Sequence, residues 1–169
     1  MILKILLAGD GGQGIQSISD LLAQASFANG FFISQIPNYG LEQRGGVSLS
    51  FLIISDEEIA YPRFSEPNVL LIMSEQADAR TKKFKNADLP TGRQDLKLDI
   101  NDFVEVFKEN NILKQSYNIF FLGLITKFLA DKNILKTEQI FELLEKKLSK
   151  KTNWEENKKA FELSLKINK

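Results

Sequence analysis

The stretch Ile2 to Gly14, ILKILLAGDGGQG, decides how the rest of the chain is read. Its apolar part, Ile2 to Ala8, predicts a buried strand. The residues that follow place Ile15, Ile18, Leu21, Leu22 and Ala25 at helical spacing, which predicts a helix from about Gly14 to Asn29 with Asn29-Gly30 as its stop. The glycines therefore fall where a strand turns into a helix. Glycine lets such a turn bend tightly and lets backbone N–H groups approach an anion, and the free N–H groups and dipole of a helix start favour negative charge. Gly9, Gly11 and Gly14 also satisfy GxGxxG, a spacing that a purely structural turn of a packed α/β sheet uses as well.

Two cofactor readings can be set against this loop. A nicotinamide dinucleotide site wants an acid about 20 residues further on to hold the ribose hydroxyls. Residues 33 to 37 are Ile, Ser, Gln, Ile and Pro, which disfavours it. A thiamine diphosphate site often begins GDG and closes with an Asn that helps to hold magnesium through hard oxygen ligands. Gly9-Asp10-Gly11 and Asn38 fall roughly in that register, but Pro37 and Tyr39 flank Asn38 and Asp10 lies inside the turn, so the match reads as coincidence.

Composition narrows the chemistry. The 169 residues suit one domain spanning 1–169; a formal net charge of zero with 43% hydrophobic residues points to neither nucleic acid nor a charged membrane surface. Lys4 and Asp10 interrupt the N-terminal apolar run, which predicts neither a signal peptide nor a membrane span, and a cytoplasmic location follows as the expectation. The chain has no cysteine and no histidine. That excludes disulfides, a Cys-ligated iron–sulfur cluster, zinc sites of the usual type, and Ser-His or Cys-His catalysis on this chain.

Further strands are expected at Phe31 to Ile36, Val47 to Ile54 and Asn68 to Met73, and Leu96 to Ile100 is the one stretch after Asp78 with the makings of another. Pro37 to Ser48, PNYGLEQRGGVS, reads as an irregular loop carrying an aromatic and a guanidinium, and Asp78 to Asp99 as a solvated connection. The last third predicts helices at Asn101 to Glu109, Tyr117 to Ala130, Thr137 to Lys150 and Trp154 to Lys166, with Asn153 and Glu156 spaced as a capping box. Strands alternating with helices imply an α/β fold: a mostly parallel sheet with helices on both faces and a helical C-terminal third.

Three separated motifs together carry a more specific resemblance. GDGGQGIQSISDLLAQAS follows the first strand, NYGLEQRGGVSLSFLIISDEEIAYP occupies the middle, and Asn118 with Gly123 and a later EENKKAFE lie near the end. The chain resembles the gamma subunit of the 2-oxoacid:ferredoxin (or other acceptor) oxidoreductases, and its RGGVS, YP and MSEQA look more like the 2-oxoglutarate branch than the pyruvate branch. Where that family usually has Asp before its fourth apolar strand this chain has Asn68. The stretch Asp78 to Lys114 looks short and polar beside it, which implies a strand lost or rebuilt there.

The resemblance implies a Rossmann-like domain that holds CoA, inactive alone and working as one subunit of an enzyme that makes an acyl-CoA from a 2-oxoacid. Thiamine diphosphate, Mg and the iron–sulfur cluster would belong to partner subunits only. Those partners are alpha and beta subunits, with a delta subunit where the complex has one, and ferredoxin or another acceptor reached through the complex. Carried over by motif, Gly9, Asp10, Gly11, Gly12 and Gln13 form the anion cradle, while Gln43 and Arg44 offer a polar or cationic contact. Asn118 and Asn157 each match a family position on a helix, where an amide that both donates and accepts can bind the pantetheine chain or adenine. Arg44 equally suits a salt bridge in its loop or to a partner, the two Asn equally suit helix-capping or surface roles, and Tyr39 either stacks on adenine or fills an interface. The alternative function is a non-catalytic nucleotide-binding or assembly module related to the family, or the equivalent subunit of a pyruvate or indolepyruvate enzyme.

Overall fold

The structure, a computed structural model, describes residues 1–39, 46–84 and 95–167. In chain order it has β1 (Ile2–Asp10), α1 (Ile15–Ala28), β2 (Phe32–Tyr39), β3 (Val47–Ser55), β4 (Val69–Ile72), α2 (Glu75–Thr81), β5 (Leu96–Asp99), α3 (Val104–Glu109), α4 (Tyr117–Asp131), α5 (Thr137–Leu148) and α6 (Trp154–Lys166). The five strands form one sheet in the order β2-β3-β1-β4-β5.

The α/β class holds, but the sheet is mixed, which corrects the expectation of a mostly parallel one. β1 runs parallel to β4 and β4 to β5, whereas β3 is antiparallel to both β1 and β2. Connection length explains the difference. Only residues 40 to 46 separate β2 from β3, and a parallel pairing needs a crossover of about a dozen residues or more.

Pro37, Asn38 and Tyr39, assigned from the sequence to a loop, continue β2 and pair with Ser50, Leu49 and Ser48. A proline is tolerated there because β2 is an edge strand, where a missing N–H leaves no neighbour unbonded. A second correction concerns Asp78 to Asp99. Helix α2 begins before it and enters it, with Ser74 Oγ accepting from the Ala77 N–H at 3.0 Å and Glu75 and Asp78 in its first turn. The last residues of that stretch, Leu96–Asp99, form strand β5 rather than part of a solvated connection. The box expected at Asn153 does not form, since that side chain makes no capping hydrogen bond.

Asn68 stitches the strand starts together. Its Oδ1 accepts from the Lys4 N–H at 3.0 Å, its Nδ2 donates to Asp95 Oδ2 at 3.4 Å, and its backbone oxygen accepts from the Asp95 and Leu96 N–H groups. An aspartate could accept from Lys4 but could not donate to Asp95. Asn68 therefore serves the end of the sheet remote from the glycine turn.

Packing differs between the two faces. One carries Leu3, Ile5, Leu7, Leu52, Ile54, Val69 and Leu71 under α1 and the C-terminal helices, including Phe103, Phe107, Phe120 and Phe121. The other is a smaller cluster of Leu6, Ala8, Val47, Leu49, Leu70 and Ile72, covered by Ala77 of α2 and by Phe84. Helices α4 and α6 approach closely at Gly123, where a Cβ would collide with Ser164 Oγ and lie 3.1 Å from the Phe161 carbonyl oxygen. Gly123 is a packing residue.

Candidate functional site

The carboxyl ends of the parallel strands β1 and β4 lie side by side, and the chain leaves β1 through the glycine turn into α1. In open α/β sheets ligands settle in the crevice outside such strand ends. Hydrogen bonds hold the turn in one shape. Gln13 folds back so that its Oε1 accepts from the Asp10 N–H at 2.7 Å while its Nε2 donates to the Met73 carbonyl at 3.1 Å, just past β4. Ser74 Oγ donates to Asp10 Oδ1 at 2.6 Å. The Gly11 N–H donates to the Gly46 carbonyl at 2.8 Å. Gly9 makes room for this arrangement, since a Cβ on it would stand 2.6 Å from Gln13 Oε1 and 2.9 Å from Ile15 Cδ1.

The left-handed positions of the turn are Gly12 (φ 91) and Gly14 (φ 76), not Gly11. Gly14 is the N-cap of α1, and no side chain bonds to the helix start or places an acid in its first turn. The N–H groups of Ile15, Gln16 and Ser17 consequently have no intrahelical acceptor, and the positive end of the helix dipole is uncompensated. Gln16 spends its amide elsewhere, donating to Ser48 Oγ and the Leu49 carbonyl and so tying α1 to β3.

Facing this turn is a cleft of about 560 Å³, lined by Gly12, Gln13 and Met73 on one side and by Leu113, Lys114, Gln115, Tyr117 and Asn118 on the other. The structure thus brings Gly12, Gln13 and Asn118 together, as the sequence motifs suggest. Asn118 lies against Gly14 so closely that a Cβ there would collide with its Nδ2. Its Oδ1 accepts from the Ile119 N–H at 3.0 Å, leaving the amide nitrogen as a donor at the mouth of α1. Among the described residues Lys114 makes no ion pair and no carboxylate lines the cleft.

Other residues singled out from the sequence lie elsewhere. Gly9 and Asp10 shape the turn from behind, and Gln43 and Arg44 fall outside the described residues. Asn157 is 2% exposed on α6, and its Oδ1 accepts from Ser116 Oγ at 2.8 Å. It therefore fixes the turn Lys114–Ser116 that presents Lys114 to the cleft. Tyr39 is 66% exposed at the end of β2. Lys114, Gln115 and Tyr117 escape a sequence reading because the connection between α3 and α4, not a motif, carries them to the glycine turn.

One carboxyl departs from its ordinary range. Asp56 is held below it by a hydrogen bond from the Met1 ammonium, helped by that group's charge, at the end of the sheet remote from the cleft.

Residues 4–167 match the family described as Pyruvate ferredoxin/flavodoxin oxidoreductase. The chain belongs to that family. Within the pyruvate ferredoxin/flavodoxin oxidoreductase family, a protein named 2-oxoglutarate synthase subunit KorC from Methanothermobacter marburgensis is 44% identical over 75 residues, 44% of this chain and 40% of that relative. The KorC subunit of Archaeoglobus fulgidus is 28% identical over 172 residues, covering 97% of this chain and 87% of its own length. Among solved structures, the gamma subunit of a keto/oxoacid ferredoxin oxidoreductase from Geobacter sulfurreducens superposes with a TM-score of 0.68 at 23% identity, over 97% of this chain and 94% of its own. A 2-oxoglutarate:ferredoxin oxidoreductase from Magnetococcus marinus, solved with 2-oxoglutarate, coenzyme A and succinyl-CoA bound, gives 0.74 at 21% identity, over 99% of this chain and 32% of that one. These two show a shared fold. Among the described residues no helix is long and apolar enough to cross a membrane.

Proposed function

We propose that this chain is the gamma subunit of a 2-oxoacid:ferredoxin oxidoreductase, with 2-oxoglutarate as its oxoacid, and that its cleft binds CoA. The observation that carries the reading is the uncapped start of α1, opening on a cleft that, among the described residues, holds a lysine without an ion pair and no acid. That combination favours an anion of several oxygens, for which a helix start supplies converging N–H donors. CoA, when bound, supplies the thiol that accepts the acyl group. This chain's part is to bind and orient it. The Gly12 backbone and the first-turn N–H groups of α1 take the diphosphate, the Asn118 amide donates beside them, and Lys114 neutralises charge at the rim. Gln43 and Arg44 would add a polar and a cationic contact, as the resemblance implies, whereas Gly9, Asp10, Gly11 and Asn157 hold the shape of the site.

The names of the two KorC relatives support the 2-oxoglutarate branch, and the ligands of the Magnetococcus enzyme support CoA. Thiamine diphosphate, Mg and the iron–sulfur cluster would be held by partner subunits only, the alpha and beta chains and a delta chain where the complex has one, which would pass electrons to ferredoxin or another acceptor. A chain without cysteine has no thiolate to hold a cluster, so turnover needs those partners and the isolated chain should not reduce a dye with 2-oxoacid, thiamine diphosphate and CoA.

Gly12→Val in the assembled enzyme tests the site. A Cβ at Gly12 meets nothing within 4 Å, so the fold is not crowded, but φ 91 is disfavoured for a β-branched residue and the turn must shift at the cleft. Calorimetric titration should show CoA binding weakened by about tenfold or more, the equivalent of ~1.4 kcal/mol, with the Michaelis constant for the 2-oxoacid little changed. Unaltered CoA affinity in an assembled complex would sink the assignment.

A further inference from the structure

The second face of the sheet is covered unevenly. Helix α2 packs on β1, β3 and β4, and beyond it Ile36 and Asn38 of β2 and Phe51 of β3 form the floor of a cleft of about 380 Å³. Phe64 and Phe84 wall this cleft, each edge-to-face with Phe51 at ring distances of 5.3 and 5.6 Å. Two exposed cations stand at its rim. Among the described residues Arg63 has no ion pair and the Lys83 ammonium has none either, lying over the Phe84 ring 5.0 Å from its centroid. No carboxylate among the described residues lines the cleft. It lies on the opposite face from the helices that shape the cleft at α1.

An apolar pocket with an unsatisfied cationic rim is complementary to an apolar side chain flanked by carboxylates. We infer that this cleft docks an acidic, apolar segment of another subunit of the same oxidoreductase, an inference that rests on the gamma-subunit reading above. A second copy of this chain is a poorer occupant. A two-fold contact through this patch would set Arg63 and Lys83 against their own counterparts, and like charges juxtaposed at an interface are strongly unfavourable. The aromatic floor supplies the rigid, desolvated centre that interface anchors need, and the cations supply register and steering at the rim.

The test uses the co-expressed complex of this chain with its thiamine-binding partner subunits. The double variant Arg63→Glu/Lys83→Glu should melt like the wild type, because neither side chain holds the fold, while the dissociation constant of the subunit complex rises about tenfold or more. A photo-crosslinking residue in place of Asn38 should join the chain to a partner segment containing Asp or Glu, and changing that acid to Lys should restore assembly of the double variant. Undiminished assembly of the double variant overturns the inference, as does a crosslink confined to this chain or to a second copy of it. If the wild-type chain forms no complex with such subunits at all, the gamma-subunit reading falls first, and the docking site with it. Intact assembly of the wild type with an indifferent double variant removes the docking site alone.

Discussion

Replacing Gly14 by Ala separates two costs that the glycine turn avoids. The first is conformational: Gly14 sits at φ 76, ψ 22 as the N-cap of α1, and a residue with a Cβ pays about 1–2 kcal/mol in that left-handed region. The second is steric. The new methyl would overlap Asn118 Nδ2, so the amide must rotate out of its preferred position, which costs about 0.5–1.5 kcal/mol for an off-rotamer side chain. Together these give a loss of about 1.5–3.5 kcal/mol, or roughly 3–14 °C in Tm for a chain of this size. Urea denaturation of Gly14→Ala, Asn118→Ala and the double variant measures the partition. The double variant should regain only the steric part, because removing the amide clears the overlap but leaves φ unchanged. In the assembled enzyme Gly14→Ala should also weaken CoA binding, since the displaced amide is one of its proposed donors. Gly14→Ala as stable as wild type, or no coupling between the two positions, would refute the reasoning.

Three further outcomes are expected. Gly123→Ala should destabilise by about 1–3 kcal/mol through overpacking of α4 on α6, and Ser164→Gly should relieve much of that loss when both are present, as read by thermal melts of the four forms. Asn157→Ala strands the buried Ser116 hydroxyl without its acceptor and should cost about 1–3 kcal/mol, with CoA affinity falling as the Lys114 turn loosens; unchanged stability would show that Ser116 finds another acceptor. Asp56→Asn should remove a pH-dependent contribution. Because the folded-state carboxyl is held below its ordinary 3.8, the contribution is present above that value and lost as pH falls through the depressed one, so the urea midpoints of variant and wild type should differ at neutral pH and converge in acid.

How far the sequence could be read follows from where each feature's information lies. Strand β1, the glycine turn and α1 are contiguous and strongly patterned, so their order and boundaries are plain from ILKILLAGDGGQG and the apolar spacing after it. Strand direction is not a property of a strand's own pattern: β3 is buried along most of its length, which reads as parallel, and only the brevity of residues 40 to 46 betrays the hairpin. Helix α2 is too short to establish a period, and its signal is the cap, Ser74 before Glu75. Asn157 was disguised by charged neighbours in WEENKKAFE. Its spacing to Ala160, Phe161 and Ser164 nonetheless places it on the inward face of α6. At the cleft, the half built from the turn was legible, whereas Lys114 and its neighbours arrive by tertiary placement alone.

Pro37 bears on how the chain survives before it is assembled. Strand β2 forms one margin of the sheet and presents a row of backbone groups that could template pairing with another copy. Within Phe32–Tyr39 the proline withdraws one donor from that row. At the opposite margin β5 has four residues, a short purchase for a foreign strand. Pro37→Val would restore the missing backbone N–H to the edge strand ending in Tyr39, and light scattering should then detect growth of high-mass species from chain kept without its partners. The proline is in this sense a gatekeeper against amyloid-like stacking, useful during the interval in which a subunit has been synthesised but not yet captured.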